Sequence, residues 1–218
     1  MDEATLKTIA AQLRKPSGEN GIKVGERMNE GNLQINLNTI ESLKLKAGDN
    51  ILEIGMGNGF FIKNIFESND DFHYTGCDFS ELIVEEAQKL NATFIENRKA
   101  EFFHGDVNAL PFENEIFDKV FTINTIYFWD PPAKALAEIA RVLKQRGQLT
   151  IAIRPKSIME NYPFTKYGFT MYSKEELASL FSANNFHVTQ VVEKGEPEIE
   201  IGGVKTRTAT LLVQAEKL

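Results

Sequence analysis

Cysteine is nearly absent from this chain. One thiol, Cys77, in 218 residues leaves no internal disulfide to form, and its position inside an apolar, strand-like run reads as a buried core residue rather than a nucleophile. Histidine is also scarce. His73, His104 and His187 stand apart without metal-ligand spacing, so no structural or catalytic metal is expected. No run of lysine or arginine is long enough to follow a phosphate backbone, and the formal net charge is −7, which argues against a nucleic-acid partner. A basic, apolar leader and an apolar span of membrane length are both lacking. These absences predict a protein of the cytosol that does not insert into a membrane.

What is present suits one α/β domain with a sizeable core: 42% hydrophobic and 25% charged residues. Short apolar runs alternate with helical patterns, which implies a parallel sheet with helices on both faces. The most informative run is Ile51-Leu52-Glu53-Ile54-Gly55-Met56-Gly57-Asn58-Gly59-Phe60-Phe61-Ile62. It reads as a buried strand, a turn of alternating glycines, and a helix start whose unpaired N–H groups and positive dipole end face the turn. A small polar ligand carrying a carboxylate, phosphate or ribose fits such a place.

Several readings of the turn compete. A P-loop needs Gly-Lys-Ser/Thr after a longer loop, which is missing. The dinucleotide fingerprint puts a third glycine where this chain has Phe60, and a phenylalanine obstructs close approach to a pyrophosphate. A glycine-rich turn that only joins strand to helix remains a plain alternative. Phe72–Asp78 then reads as a second strand ending in an acid, about twenty residues after the glycines, where a carboxylate accepts ribose hydroxyls. Ser80 is placed as the N-cap of the next helix, which runs through Leu82, Ile83, Ala87 and Leu90 and on toward Phe94 and Ile95. Ala100–His104 reads as a third strand, followed by His104-Gly105-Asp106-Val107-Asn108-Ala109-Leu110-Pro111-Phe112, and Ile116–Asn124 as a fourth.

In order and spacing, these segments resemble the class I S-adenosylmethionine (SAM)-dependent methyltransferases over about residues 47–153, especially the UbiE-like small-molecule branch (methyltransferase type 11). The resemblance implies a Rossmann-like, doubly wound sheet of seven strands, mostly parallel, with a closing antiparallel strand. It further implies that Glu53, Gly55, Gly57 and Gly59 cradle the methionine and ribose end of SAM, or of its product S-adenosylhomocysteine (SAH). Asp78 would hold the ribose hydroxyls and Phe79 would flank adenine. Asp106 and Val107 would read the adenine edge, and Asn124 would face the methionine part. The expected activity is in-line methyl transfer to a small-molecule acceptor, with no covalent enzyme nucleophile. A non-catalytic SAM- or SAH-binding protein is the alternative, and a nicotinamide-dependent oxidoreductase is weakened by Phe60.

The acceptor side rests on thinner signals. After the fourth strand comes Asn124-Thr125-Ile126-Tyr127-Phe128-Trp129-Asp130-Pro131-Pro132. It lacks the Pro-Pro-aromatic that directly follows the strand in DNA amino-methyltransferases, which read a flipped base there. Asp130 and Pro131 instead suggest an N-cap and first helical residue. Tyr127 and Trp129 are expected in the acceptor pocket and Phe128 under the following helix, with Tyr127 the only candidate base.

Residues 1–46 read as N-terminal helices plus a cofactor- and acceptor-covering loop, and 47–218 as the core, within one compact domain. Leu6, Ile9, Ala10 and Leu13 mark a first helix, and Leu33, Leu37 and Ile40 a second. Between them, 14–32 is polar and glycine-rich, so a loop is expected. In it, Arg14 or Lys15 would approach the cofactor carboxylate and Met28 would border the acceptor. Residues 144–153 read as helix end, turn and fifth strand. The aromatic stretch 154–172 would close over an apolar or aromatic acceptor, or pack on the domain. Ser173-Lys174-Glu175-Glu176 is a capping box. Phe186–Glu193 and Thr206–Ala215 read as a closing antiparallel pair, with Glu196-Pro197-Glu198 and Gly202-Gly203 in their connection.

Overall fold

The computed structural model describes residues 1–68, 71–201 and 204–218; Gly202 and Gly203 of the last connection lie outside the described residues. Three helices lead: α1 (Glu3–Arg14), α2 (Gly18–Gly31) and α3 (Leu33–Leu43). Strands and helices then alternate as β1 (Asp49–Ile54), α4 (Ile62–Ser68), β2 (Phe72–Asp78), α5 (Glu81–Leu90), α6 (Ala92–Glu96), β3 (Ala100–His104), β4 (Phe117–Ile123), α7 (Pro132–Val142) and β5 (Leu143–Ile153). The rest comprises α8 (Lys156–Met159), α9 (Lys174–Ser182), β6 (Phe186–Gly195), the short hairpin β7 (Ile199–Ile201) and β8 (Val204–Thr206), and β9 (Ala209–Lys217).

Seven strands form one sheet in the order β3-β2-β1-β4-β5-β9-β6. The first five run parallel, and β9 is antiparallel to both β5 and β6. Central strands are sealed on both faces, which explains why their residues are mostly buried. Leu52, Val120 and Leu149 join α7 and α9 side chains in one core cluster, whereas Ile51, Phe121 and Ala152 join those of α3, α4 and α5 in another. Each fully buried aliphatic side chain contributes roughly 1.5–3 kcal/mol. Ser173 caps α9 in a full capping box with Glu176.

Four local expectations need correction. Residues 18–31 are a helix, not a loop. A Cβ on Gly21 would lie 3.0 Å from the Pro16 carbonyl carbon and 3.2 Å from Leu82 Cδ2, and one on Gly25 would lie 3.6 Å from Ile83 Cδ1. The glycines let α2 press onto α5, so close packing offsets their poor helix propensity of about 1 kcal/mol each. The α5 segment stops at Leu90 because the buried Asn91 side chain donates to the Ala87 and Gly59 carbonyls at 2.9 and 3.2 Å. Pro131, not Asp130, sits at the α7 cap, and Pro132 opens the helix; a proline keeps the residue before it extended. Residues 144–147 are drawn into β5 across a register shift opposite Phe117–Lys119. Arg146 takes the positive φ of 60° there, and Gly147 leaves room that a Cβ would fill 2.8 Å from the Lys144 carbonyl oxygen.

In α3 the buried face is Ile35, Asn36, Thr39 and Leu43, while Leu33 and Leu37 are exposed. The buried polar groups are paired: Asn36 donates to the Asn32 carbonyl at 2.7 Å, Asn38 to the Thr210 hydroxyl at 3.0 Å and Thr39 to the Ile35 carbonyl at 2.6 Å. The α2–α5 contact yields a direct test. Gly21→Leu should overpack the seam and cost about 1–3 kcal/mol, read as a lower unfolding midpoint and faster proteolysis within 1–31. Unchanged stability would mean that α2 does not depend on this close approach.

Candidate functional site

The carboxyl ends of β1, β2 and β4 open on one cavity of about 200 Å³. β1 delivers Glu53 to its floor, then the chain turns through Gly55 and Gly57 with φ of 73° and 59°, a region that side chains other than glycine adopt at a cost. The two glycines meet different demands. A Cβ on Gly55 would fall 2.3 Å from Thr125 Cγ2, whereas one on Gly57 would meet nothing within 4 Å and project into open space. Gly57 therefore leaves its backbone open to the cavity it lines.

Asp78, at the end of β2, locks the turn. Its carboxylate accepts the Gly57 N–H at 3.1 Å and the Ser80 N–H at 2.9 Å. Ser80 holds the cap position of α5, yet its hydroxyl donates to the Pro16 carbonyl at 2.6 Å instead of capping. That bond fastens the start of α2 beside the cavity. In the turn after β3, Asp106 accepts the backbone N–H and side-chain amide of Asn108 at 2.8 and 3.1 Å. Asn124 ends β4 with a φ of 58°, and its side chain donates to Asn32 Oδ1 at 3.1 Å.

Glu53, Gly55, Gly57, Asp78, Phe79, Asp106, Val107 and Asn124 all line this cavity, as do Met28 and Trp129. Gly59 does not. A Cβ there would lie 2.6 Å from Asn91 Nδ2 and 2.9 Å from Ile62 Cδ1, so its role is packing under α4. Tyr127 also lies outside the lining. It is 3% exposed, accepts the Arg154 N–H at 2.7 Å, and has the Arg154 carbonyl and Asn124 Oδ1 within 3.0 and 3.2 Å as acceptors. Burial raises its phenol further above the ordinary value, which disfavours the phenolate that a base would need. Phe128, expected beneath a helix, takes the place at the cavity wall. Arg14 reaches the lining, while Lys15 sits 4.2 Å above the Phe79 ring, outside it.

Sequence reasoning passed over Asn29, Asn32 and Asn36, which also line the cavity. Their spacing of three and four residues puts them on one face of adjoining helices, a signal hidden once 14–32 is read as loop. Charge is uneven as well. Glu53, Asp78 and Asp106 line the cavity against the single cation Arg14, an excess that favours a positively charged ligand. Burial pushes the Glu53 carboxyl up to about 7, against the Tyr74 hydroxyl that donates to it at 2.6 Å. Burial also raises Asp78, opposed by the backbone N–H groups of Ser80, Gly57 and Phe79 and by nearby His104. Among the described residues no cluster of His, Cys, Asp and Glu is placed to hold a metal, and no helix is long and apolar enough to cross a membrane.

An open glycine cradle, a carboxylate beside it and an acidic lining fit the methionine and ribose parts of SAM. Residues 52–151 match the family model described as a methyltransferase domain, type 11. The uncharacterized methyltransferase YdaC of Bacillus subtilis is 27% identical over 180 residues, covering 82% of this chain and 94% of that protein. A demethylmenaquinone methyltransferase of Clavibacter sepedonicus is 30% identical over 134 residues, covering 62% of this chain and 51% of its own length. Among solved structures, the methyltransferase in complex with the Haloferax volcanii Trm112 activator superposes with a TM-score of 0.77 at 20% identity, covering 100% of this chain and 98% of that one. The fold is thus that of the class I methyltransferases. Within them, residues 52–151 are similar to the SAM-dependent, UbiE-like branch.

Two tests follow from the buried acids and the displaced tyrosine. The folded Glu53 carboxyl titrates near 7, above its unfolded value of 4.5, so its contribution to stability is full below pH 4.5 and lost as pH rises through 7. Glu53→Gln should match wild type at pH 4 and exceed it by up to about 3 kcal/mol at pH 8; equal stabilities at both pH values would refute this. Tyr127→Phe should cost about 1–3 kcal/mol, because the Arg154 N–H loses its nearer acceptor. It should leave the pH dependence of methyl transfer unchanged; loss of the limb that rises with pH would restore Tyr127 as a base.

Proposed function

We propose that the chain moves the methyl group of SAM to a small apolar or aromatic acceptor, by direct displacement in the cavity described above. The observation behind this reading is the cavity's mixed lining. Gly57 after β1, Asp78 at the end of β2 and Asp106 after β3 are its polar and acidic residues, and Met28 of α2 with Phe128 and Trp129 after β4 its apolar ones. Phe128 is backed by Phe169 at 4.6 Å between centroids, and Phe169 by Phe164 at 5.7 Å. Stretch 154–172 thereby extends the aromatic wall. That a relative is named for a quinone precursor agrees with this chemistry.

SAM, when bound, supplies a methyl group on a positive sulfur. The chain's own part is to bind and orient. Asp78 keeps the Gly57 turn in shape and retains lone pairs for ribose hydroxyls, Phe79 offers an exposed ring face to adenine, and Asp106 offers a carboxylate to its edge. Asn124, Asn32 and Met28 border the methionine and acceptor ends. Orientation alone is worth about 7–11 kcal/mol of barrier at best, so no enzyme nucleophile is needed. Residues 1–46 act as the cover and 47–218 as the catalytic body, in a reducing compartment that suits the lone buried thiol.

Calorimetric titration with SAH tests the cofactor half of the proposal. Micromolar binding is expected, weakened by about 1.5–3 kcal/mol in Asp78→Ala through loss of charged hydrogen bonds. A folded wild type that does not bind SAH would overturn the reading, and detectable methyl transfer to phenol or quinol acceptors would exclude a binding-only protein.

A further inference from the structure

The strongest polar network outside the cofactor residues centres on Arg154, the first residue after β5. Its side chain is 8% exposed and forms an ion pair with Glu196, itself 2% exposed. Its guanidinium also donates to the Ala209 carbonyl at 3.1 Å and, with the other arm, to the Gly31 carbonyl at 3.0 Å. Glu196 is held in turn by the hydroxyls of Thr208 at 2.8 Å and Thr210 at 2.5 Å. Thr210 accepts from Asn38 of α3.

Gly31 is the last residue of α2, where a helix leaves carbonyls without internal partners. The backbone N–H of Arg154 meanwhile reaches Tyr127 Oη at 2.7 Å and Asn124 Oδ1 at 3.3 Å. Asn124 donates to Asn32, one residue beyond α2. One residue therefore ties the end of β5 to the end of β4 through its backbone, and to the end of α2 through its side chain.

We infer that Arg154 is a positioning residue, latching α2 across the cavity so that Met28, Asn29 and Asn32 are held against the carboxyl ends of β4 and β5. The inference rests on the methyltransferase reading for its purpose, but not for its structure. The planar guanidinium is what makes it work: two separate N–H arms reach Gly31 and Glu196 at once, whereas an ammonium is a point charge. Lysine would keep the buried carboxylate paired and lose the second arm. Asn32→Ala breaks the companion tie without disturbing the ion pair.

Hydrogen exchange on the full chain, with SAH titration beside it, tests the latch in Arg154→Lys and in Asn32→Ala. Amides of 18–31 should exchange about tenfold faster while β4 and β5 keep their protection, and SAH should bind about tenfold more weakly. A general structural role would instead speed exchange throughout, and that result, or unchanged exchange in 18–31, overturns the inference. If Arg154→Lys does not fold, Asn32→Ala decides by the same readout. A wild type that ignores SAH would bring down the methyltransferase reading, and exchange alone would then decide the latch.

Discussion

The cavity exists because the sheet is built outward in two directions from β1. β2 and β3 extend one way, β4 and β5 the other, and the connections leaving β1 and β4 diverge at their carboxyl ends. A crevice is unavoidable at such a switch point. Its walls are fixed by close backbone contacts. The Thr122 hydroxyl donates to the Ile54 carbonyl at 2.7 Å and meets the Thr125 hydroxyl, and the Thr125 methyl fills the space that Gly55 leaves. The glycine turn and the β4 end are therefore mutually fitted, and neither can shift alone.

That fit comes at an energetic cost. Glu53 and Asp78 are carboxyls in a place where burial disfavours their charge. Asp78 recovers part of the penalty through backbone N–H donors, and Glu53 through one phenol. Among the described residues, Asp78 has only His104 beside it as a positive partner, and a cationic cofactor would neutralise the two carboxyls further. Burial of the Glu53 carboxyl therefore works against stability as pH rises through neutrality, as expected where a site is shaped for a ligand rather than for itself.

Local features of the chain were legible from its sequence. The β1 run, the glycine turn and the acid of β2 are each specified within a dozen residues, and the strand pattern depends on burial of both sheet faces, which composition records directly. What was misread depends on contacts between distant segments. Gly21 and Gly25 look like loop residues until Leu82 and Ile83 are opposite them. Tyr127 and Phe128 are neighbours with equal claims on the cavity, and only the Arg154 backbone, 27 positions along the chain, decides which ring turns inward. Gly59 shares the spacing of its fellows yet serves Asn91.

α2 combines a close backbone seam along α5 with polar ties at its two ends. α2 has glycines where a buried helix would carry apolar side chains, so its middle gains little from the hydrophobic effect. Its ends are instead pinned by polar bonds, with Pro16 to Ser80 at the start and Gly31 and Asn32 to Arg154 and Asn124 at the finish. Segments of low local stability that release as a unit are the ones proteins use to admit ligands. The same bonds fix the register of Met28, Asn29 and Asn32 at the cavity, because hydrogen bonds are directional where apolar contacts are interchangeable.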